Sequence, residues 1–225
     1  MSITALPSRP ASANWGPMLA RHRGILIALA VFAILFSTVT LISDSFSYFE
    51  FSFMSAGGAA LALAAMGQTV VVLTGGFDLS AGAVVSLVNV VLGSSMGTDL
   101  TSQVLFGFCA LGIGATVGAV NGFLIAYVRL QPIVVTLSTM FIIQGLILLI
   151  MDTPGGAIAP EFMAFFTGDA IPGILPAPVL VVAVAALAWL LIRNTRFGVG
   201  LYAVGSDEEA ASAAGLPTRW IKFRA

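Results

Sequence analysis

Thr74-Gly75-Gly76-Phe77-Asp78-Leu79-Ser80 separates two long apolar runs, residues 53–75 and 79–97. Each flanking run is near the ~20 residues that cross a hydrocarbon core as a helix. A carboxylate near mid-bilayer costs about 2.5–3.5 kcal/mol. A large apolar residue returns only about 0.3–0.6 kcal/mol, so Asp78 needs a local reason to be where it is. Gly75 and Gly76 let the backbone leave helical geometry. Asp78 or Ser80 can then cap the following helix by accepting its free N–H groups. Broken helices of this kind also line cavities in membrane carriers. An ordinary cap on a tight turn and a cavity lining are both open readings, and they do not exclude each other.

The rest of the chain sets that turn in lipid. Of 225 residues, 59% are hydrophobic and 8% charged, with nine basic and ten acidic side chains, and mean hydropathy is +1.05. Soluble domains carry about 25% charged residues, so this chain cannot cover a water-facing surface. Apolar runs fall at 25–43, 53–75, 79–97, 104–128, 132–151 and 174–192. In lipid every backbone N–H must be satisfied within its own segment, which makes these runs helices. The expectation is an all-α polytopic membrane bundle of about six transmembrane helices.

Charge gives the orientation. Arg9, Arg21 and Arg23 precede the first run, Arg129 lies between the fourth and fifth, and Arg193 and Arg196 follow the sixth. Arg219, Lys222 and Arg224 come last. With a cytoplasmic N-terminus and six crossings, all nine bases fall inside. Asp44, Glu50, Asp99, Asp152, Glu161 and Asp169 then fall outside, and 152–173 is the one sizeable external loop. The predicted organisation is a cytoplasmic segment at 1–24, a transmembrane domain at 25–192 and a cytoplasmic loop at 193–225. The 24 residues before the first run and the lack of an A-x-A site argue against a cleavable signal.

Within 193–225, Ser206-Asp207-Glu208-Glu209-Ala210-Ala211-Ser212-Ala213-Ala214-Gly215-Leu216-Pro217 reads as a two-turn helix. Ser206 with Glu209 forms a capping box, Gly215 suits the left-handed residue after a helix, and Pro217 blocks continuation. Its Ala/Ser body lets another protein approach the backbone. So short a helix is marginal in water alone. It is either held by a partner or a solvated connector.

Carboxamides occur singly in successive runs, at Gln68, Asn89, Asn121 and Gln144. Each offers a donor and an acceptor to a hydroxylated solute, or serves as interhelical glue worth about 0.6–2 kcal/mol. Gly114, Gly118 and Gly122 form a small-residue stripe for close packing. The polar third run, with Ser80, Ser86, Asn89, Ser94 and Ser95, should avoid lipid and lie near a pore. Trp15, Trp189 and Trp220 read as interfacial anchors. One His (His22) and one Cys (Cys109) exclude a His/Cys metal cluster and an intrachain disulfide. The single Lys (Lys222) has no phosphate-binding loop around it, and a net charge of −1 argues against nucleic acid.

Three stretches resemble the permease subunit of bacterial ATP-binding-cassette importers for monosaccharides, the ribose-type family. Met66 to Gly82 is similar to that family's G-[GS]-I-D-L-S-V-G signature, with Phe77 for Ile and Ala81 for Val. Asn121-Gly122 through Gln131-Pro132 to Leu137 is similar to its fourth-to-fifth span connection. Asn194 to Gly198, Tyr202 to Gly205 and Glu208 to Gly215 are similar to its ATPase-docking loop. Val199 stands where Arg is usual, and Ser206-Asp207 where Gly-Asn is usual.

The resemblance implies a permease that moves a monosaccharide by alternating access across the bacterial inner membrane. It would catalyse no bond change and hold no cofactor, ATP being bound by a cytoplasmic ABC ATPase subunit. A periplasmic or lipid-anchored sugar-binding protein and a second permease chain, identical or different, would complete it. Gln68, Thr74, Gly75, Gly76, Asp78, Ser80, Asn89, Asn121 and Gln144 are the expected substrate pathway. Gly205, Ser206, Asp207, Glu208, Glu209, Ala210, Ala211 and Gly215 are the expected ATPase-coupling residues. Such permeases continue with further spans, so the chain corresponds to one lacking the C-terminal part. An ion-coupled secondary carrier using Asp78 is the alternative.

Overall fold

The computed structural model describes residues 15–42 and 46–225, with side chains from Arg23 onward. Arg9 and Asp44, and the side chains of Trp15 and Arg21, lie outside the described residues. The chain divides into two compact units, Met1–Ser47 and Tyr48–Ala225. The first contains α1 (Trp15–Ile42). From Arg23 to Ile42 it is apolar on every face and almost wholly exposed, the pattern of a helix whose solvent is lipid. Phe32 and Phe36 stack along it with ring centroids 5.9 Å apart.

The second unit begins with α2 (Tyr48–Leu73), which ends at the double glycine, and α3 (Ala81–Ser95) follows it. Asp99 accepts the Ser102 N–H at 2.9 Å and so opens α4 (Leu100–Ala126). Pro132 then opens α5 (Pro132–Ile150), its fixed φ being suited to the first helical position. Each of the six apolar runs therefore folds as helix. Among the described residues, however, four helices are long and apolar enough to cross a membrane: Arg23–Ile42, α2, α4 and α5. With 15 residues, α3 spans only about 22 Å of a core about 30 Å thick. It starts late because residues 74–80 are spent on the turn, and it stops where Met96 becomes extended. The sixth run forms α7 (Ala177–Ile192), joined to α8 (Arg196–Ser206) by an 80° bend, and counting that pair as one span gives five. The structure thus shows an all-α membrane bundle and leaves the expected count of six unconfirmed.

The bundle is held by two small apolar clusters. Ala83 and Leu87 of α3 meet Ile143 of α5, flanked by Ile113 and Val117 of α4. At the opposite end of the sequence α8, α9 (Glu208–Ala213) and α10 (Thr218–Arg224) gather Leu201, Val204, Ala211 and Ile221. This second cluster packs on Val70 and Leu73 of α2 and on Trp189. Trp189, read as an interfacial anchor, is partly buried in this contact. Trp220 stacks on Phe223, with the Arg224 guanidinium 4.3 Å from its ring centroid. α2 runs along α7, and α10 lies on α4.

The 152–173 loop contains α6 (Pro160–Thr167) and β1 (Asp169–Ile171), which pairs antiparallel with β2 (Leu175–Pro176) just beyond it. The Tyr48 O–H donates to Asp169 Oδ1 at 2.6 Å, and the Gly173 N–H donates to Oδ2 at 3.1 Å. The first bond, then the second, holds the Asp169 carboxyl below the usual carboxylate range. A lowered acid stabilises the fold above its ordinary value of 3.8, and that contribution is lost as pH falls through the lowered one. The amide protection factors of residues 169–176 should accordingly be constant at neutral pH and drop in strong acid. Tyr48→Phe should lower them at neutral pH as well. Protection that stays flat into strong acid would show that this tie does not hold the hairpin.

Candidate functional site

The turn after α2 is built by local bonds. Thr74, Gly75 and Gly76 donate backbone N–H bonds back to Val71 and Val72, and the Thr74 hydroxyl donates to the Val71 carbonyl at 2.8 Å. Gly75 sits at φ 77°, which L side chains rarely adopt. With its carboxamide oriented to match donors with acceptors, Gln68 clamps the backbone of Asp78. Its nitrogen donates to the Asp78 carbonyl and its oxygen accepts the Asp78 N–H, each at 3.1 Å.

Asp78 in turn organises the start of α3. Its Oδ1 accepts from the Ser80 N–H and from the Ser80 hydroxyl, both at 2.7 Å. Ser80 precedes α3, but its side chain makes no cap bond. Its oxygen instead accepts from Asn121 Nδ2 of α4 at 3.0 Å. The Asn121 side-chain oxygen Oδ1 accepts from the Thr139 hydroxyl of α5 at 2.7 Å. Donors therefore run in one direction, Thr139 to Asn121 to Ser80 to Asp78, ending on the carboxylate. Ser80 is 1% exposed and Asn121 5%, so in this setting each missing partner would leave a buried polar group unsatisfied. Thr136 adds a second tie, its hydroxyl lying 3.2 Å from the Phe77 carbonyl and 3.0 Å from that of Pro132.

A cavity of about 380 Å³ opens beside this network, within the range of about 300–1,000 Å³ of small-molecule sites. Thr74, Gly75, Gly76, Asp78, Asn121 and Thr136 line it, with Gly118 and Gly122 from α4 and Lys222 to Ala225 from α10. Asp78 is thus both the organiser of the turn and a cavity wall. Of the expected pathway residues, Gln68, Thr74, Gly75, Gly76, Asp78, Ser80 and Asn121 come together. Asn89 and Gln144 do not: both are exposed on the outside of the chain. Along α3 the exposed positions Gly82, Ser86 and Asn89 share one face. Of the glycine stripe, only Gly122 is closely packed, against the Phe223 backbone of α10. Gly114 and Gly118 face open space. Sequence reading missed Thr136 and Thr139, which lie three residues apart on α5.

The second segment differs from its sequence reading in one detail of chemistry. α8 continues through Ser206, so the helix start moves one residue on, and Asp207 caps α9 by accepting the Ala210 N–H at 2.9 Å. The Ser206–Glu209 capping box does not form. α9 has six residues, about 9 Å. Gly215 takes the expected left-handed conformation at φ 83°. Asp207, Glu208, Glu209 and Ala210 are exposed, whereas Ala211 turns into the apolar cluster. Glu208 is paired with Lys222 of α10. Gly205 faces the backbone of α2: a Cβ built there would lie 1.8 Å from the Leu73 carbonyl oxygen.

Comparison with known proteins places this geometry in a family. A probable ABC transporter permease protein of Sinorhizobium fredii is 31% identical over 92% of this chain and 62% of its own length. The ribose import permease protein of Escherichia coli is 32% identical over 72% of this chain and 51% of its own. The L-arabinose transport system permease protein of Escherichia coli is 36% identical over 84% and 58%. The chain therefore spans half to three-fifths of the length of these relatives. No solved structure matches it significantly. Residues 51–225 match the model described as branched-chain amino acid transport system / permease component, and the chain belongs to that family of membrane permeases.

Proposed function

We propose that the chain is the membrane-spanning permease of an ATP-driven importer that carries a monosaccharide across the bacterial inner membrane by alternating access. The observation that carries this is the similarity, across most of the chain, to permeases named for ribose and L-arabinose. The geometry supports it in two places. The cavity at the α2–α3 break offers Asp78, Asn121 and two threonines to a solute rich in hydroxyls. The exposed acidic start of α9 is a short, rigidly backed surface for a cytoplasmic ABC ATPase. A second permease chain would receive the outward-facing Asn89 and Gln144 and complete the pathway, and a sugar-binding protein would load it from the opposite side. The N-terminus and 193–225 are then cytoplasmic, as the distribution of bases favours.

Affinity purification from native membranes, followed by intact mass analysis, tests the assembly. The ATPase should elute with the permease, and sugar uptake should require ATP and survive an uncoupler of the proton gradient. Uptake that collapses with the uncoupler, in a preparation that elutes no ATPase, would favour a secondary carrier.

Two sets of variants test the named residues. Asp78→Asn keeps an acceptor oxygen for Ser80 and should insert normally while uptake falls by about an order of magnitude. Asn121→Ala removes the donor to Ser80 and the acceptor of the Thr139 hydroxyl, and should cost about 1–3 kcal/mol of stability in detergent; normal stability would mean the donor chain is dispensable. Glu209→Lys should weaken ATPase co-purification without altering the thermal midpoint of the permease. Glu208→Lys should do both, because it also breaks the pair with Lys222.

A further inference from the structure

α10 meets α4 at Gly122, which lies against the Phe223 backbone. Beside that contact the small Ala115 and Ala119 and the bulky Phe123, Leu124 and Phe223 wall a furrow of about 580 Å³. Its one hydroxyl, on Thr116, donates to the Gly112 carbonyl at 2.7 Å, so no side chain in the furrow asks for a polar partner. α4 is long and apolar enough to cross a membrane, and the furrow is continuous with the exposed apolar surface that lipid solvates there. Between Ala115 and Leu124 it runs about 14 Å along the helix. That is close to half of the ~30 Å hydrocarbon core, the depth of one leaflet.

At its shallow end the furrow opens onto a ladder of rings. Phe123 stacks on Tyr127 with centroids 5.6 Å apart, Tyr127 meets Phe223 edge-on at 6.0 Å, and Phe223 stacks on Trp220 at 5.5 Å. The Arg224 guanidinium ends the ladder, 4.3 Å from the Trp220 ring centroid. Tyrosine and tryptophan pair an apolar body with a polar tip, which suits the edge of a bilayer. Among the described residues, the Tyr127 hydroxyl, the Trp220 indole N–H and the Arg224 guanidinium make no hydrogen bond to a side chain or backbone group. Of the three bases of α10, only Lys222 is paired with an acid.

We propose that this furrow and ladder form a binding site for one anionic phospholipid, an acyl chain lying along α4 and the phosphate held by Arg224, with Tyr127 and Trp220 as further donors. A protein segment in the furrow would have to bring an acid to Arg224 as well; a phospholipid supplies chain and anion in one molecule. With 193–225 cytoplasmic, the site faces the inner leaflet, whose anionic lipids attract bases at the membrane edge. The proposal does not depend on what the permease carries.

Trp220 reports on the site directly. The permease purified from native membranes is reconstituted in phosphatidylcholine vesicles carrying a minor fraction of phosphatidylglycerol brominated on its acyl chains, or the same fraction of brominated phosphatidylcholine. The difference between wild type and Trp220→Phe isolates the emission of Trp220. Brominated phosphatidylglycerol should quench it severalfold more than brominated phosphatidylcholine. Arg224→Gln should abolish that excess and Arg224→Lys retain most of it. Thr116→Phe, which fills the furrow with Arg224 intact, should lower it severalfold, whereas Arg193→Gln, which removes one base elsewhere, should leave it unchanged. Equal quenching by the two lipids in the wild type overturns the proposal, since the furrow would then meet only bulk lipid. Absence of quenching by either also overturns it, because protein, from this chain or a second copy, would cover the site. An excess lost equally in Arg193→Gln would reduce the effect to general surface charge and refute a local site. Should a variant fail to insert, the comparison of the two lipids on the wild type still decides.

Discussion

A carboxylate placed between two apolar helices has to be provided with donors, and the two buried side chains Ser80 and Asn121 serve that end. Asp78 receives the Ser80 N–H and hydroxyl directly, and through Ser80 it draws on Asn121 of α4 and Thr139 of α5. Because Asn121 and Ser80 each accept from the group before them and donate to the next, the helices must keep fixed rotations about their axes for the line to close. Apolar packing alone would tolerate small rotations of α3, α4 and α5 against one another. The hydrogen-bond line does not. The short α3 follows from the same requirement, since residues 74–80 are withdrawn from helix to present Asp78 to its donors.

The parts of the fold legible in the sequence are those governed by lipid. Apolar run length and the demand for internal backbone bonding identify α1 to α5, α7 and the all-α class, but not α6, α8 or α10, which lie outside the apolar runs. The turn at Gly75-Gly76 and the stop at Gly215 were legible for another reason, as both need a backbone conformation that only glycine adopts easily. Span number was not legible in the same way. Hydropathy does not register the residues a turn consumes at the start of α3 or the 80° bend that follows α7.

The candidate site was half legible. Gln68, Asp78, Ser80 and Asn121 stand out as polar side chains in apolar runs, and they do meet. Asn89 and Gln144 carry the same signal but lie on outward faces, because composition says nothing of helix rotation. Thr136 and Thr139 give no comparable signal, since threonine commonly satisfies itself on its own helix, as Thr69 does with Ala65. The one-residue shift of the α9 cap has a similar origin. Ser206 and Asp207 are both good caps, and the choice depends on how far α8 continues, which tertiary packing decides.

The two ends of α2 are fixed by unlike means. At Tyr48 a phenol reaches the hairpin, 121 residues away in sequence, and at Leu73 the chain meets the backbone of Gly205. Between them lie 26 residues, about 39 Å of helix, with Gly57, Gly58 and Gly67 free of any neighbour within 4 Å. α2 is therefore moored at both ends to segments far away in sequence, by a side chain at Tyr48 and by backbone at Leu73, while its middle presents bare backbone at Gly57-Gly58.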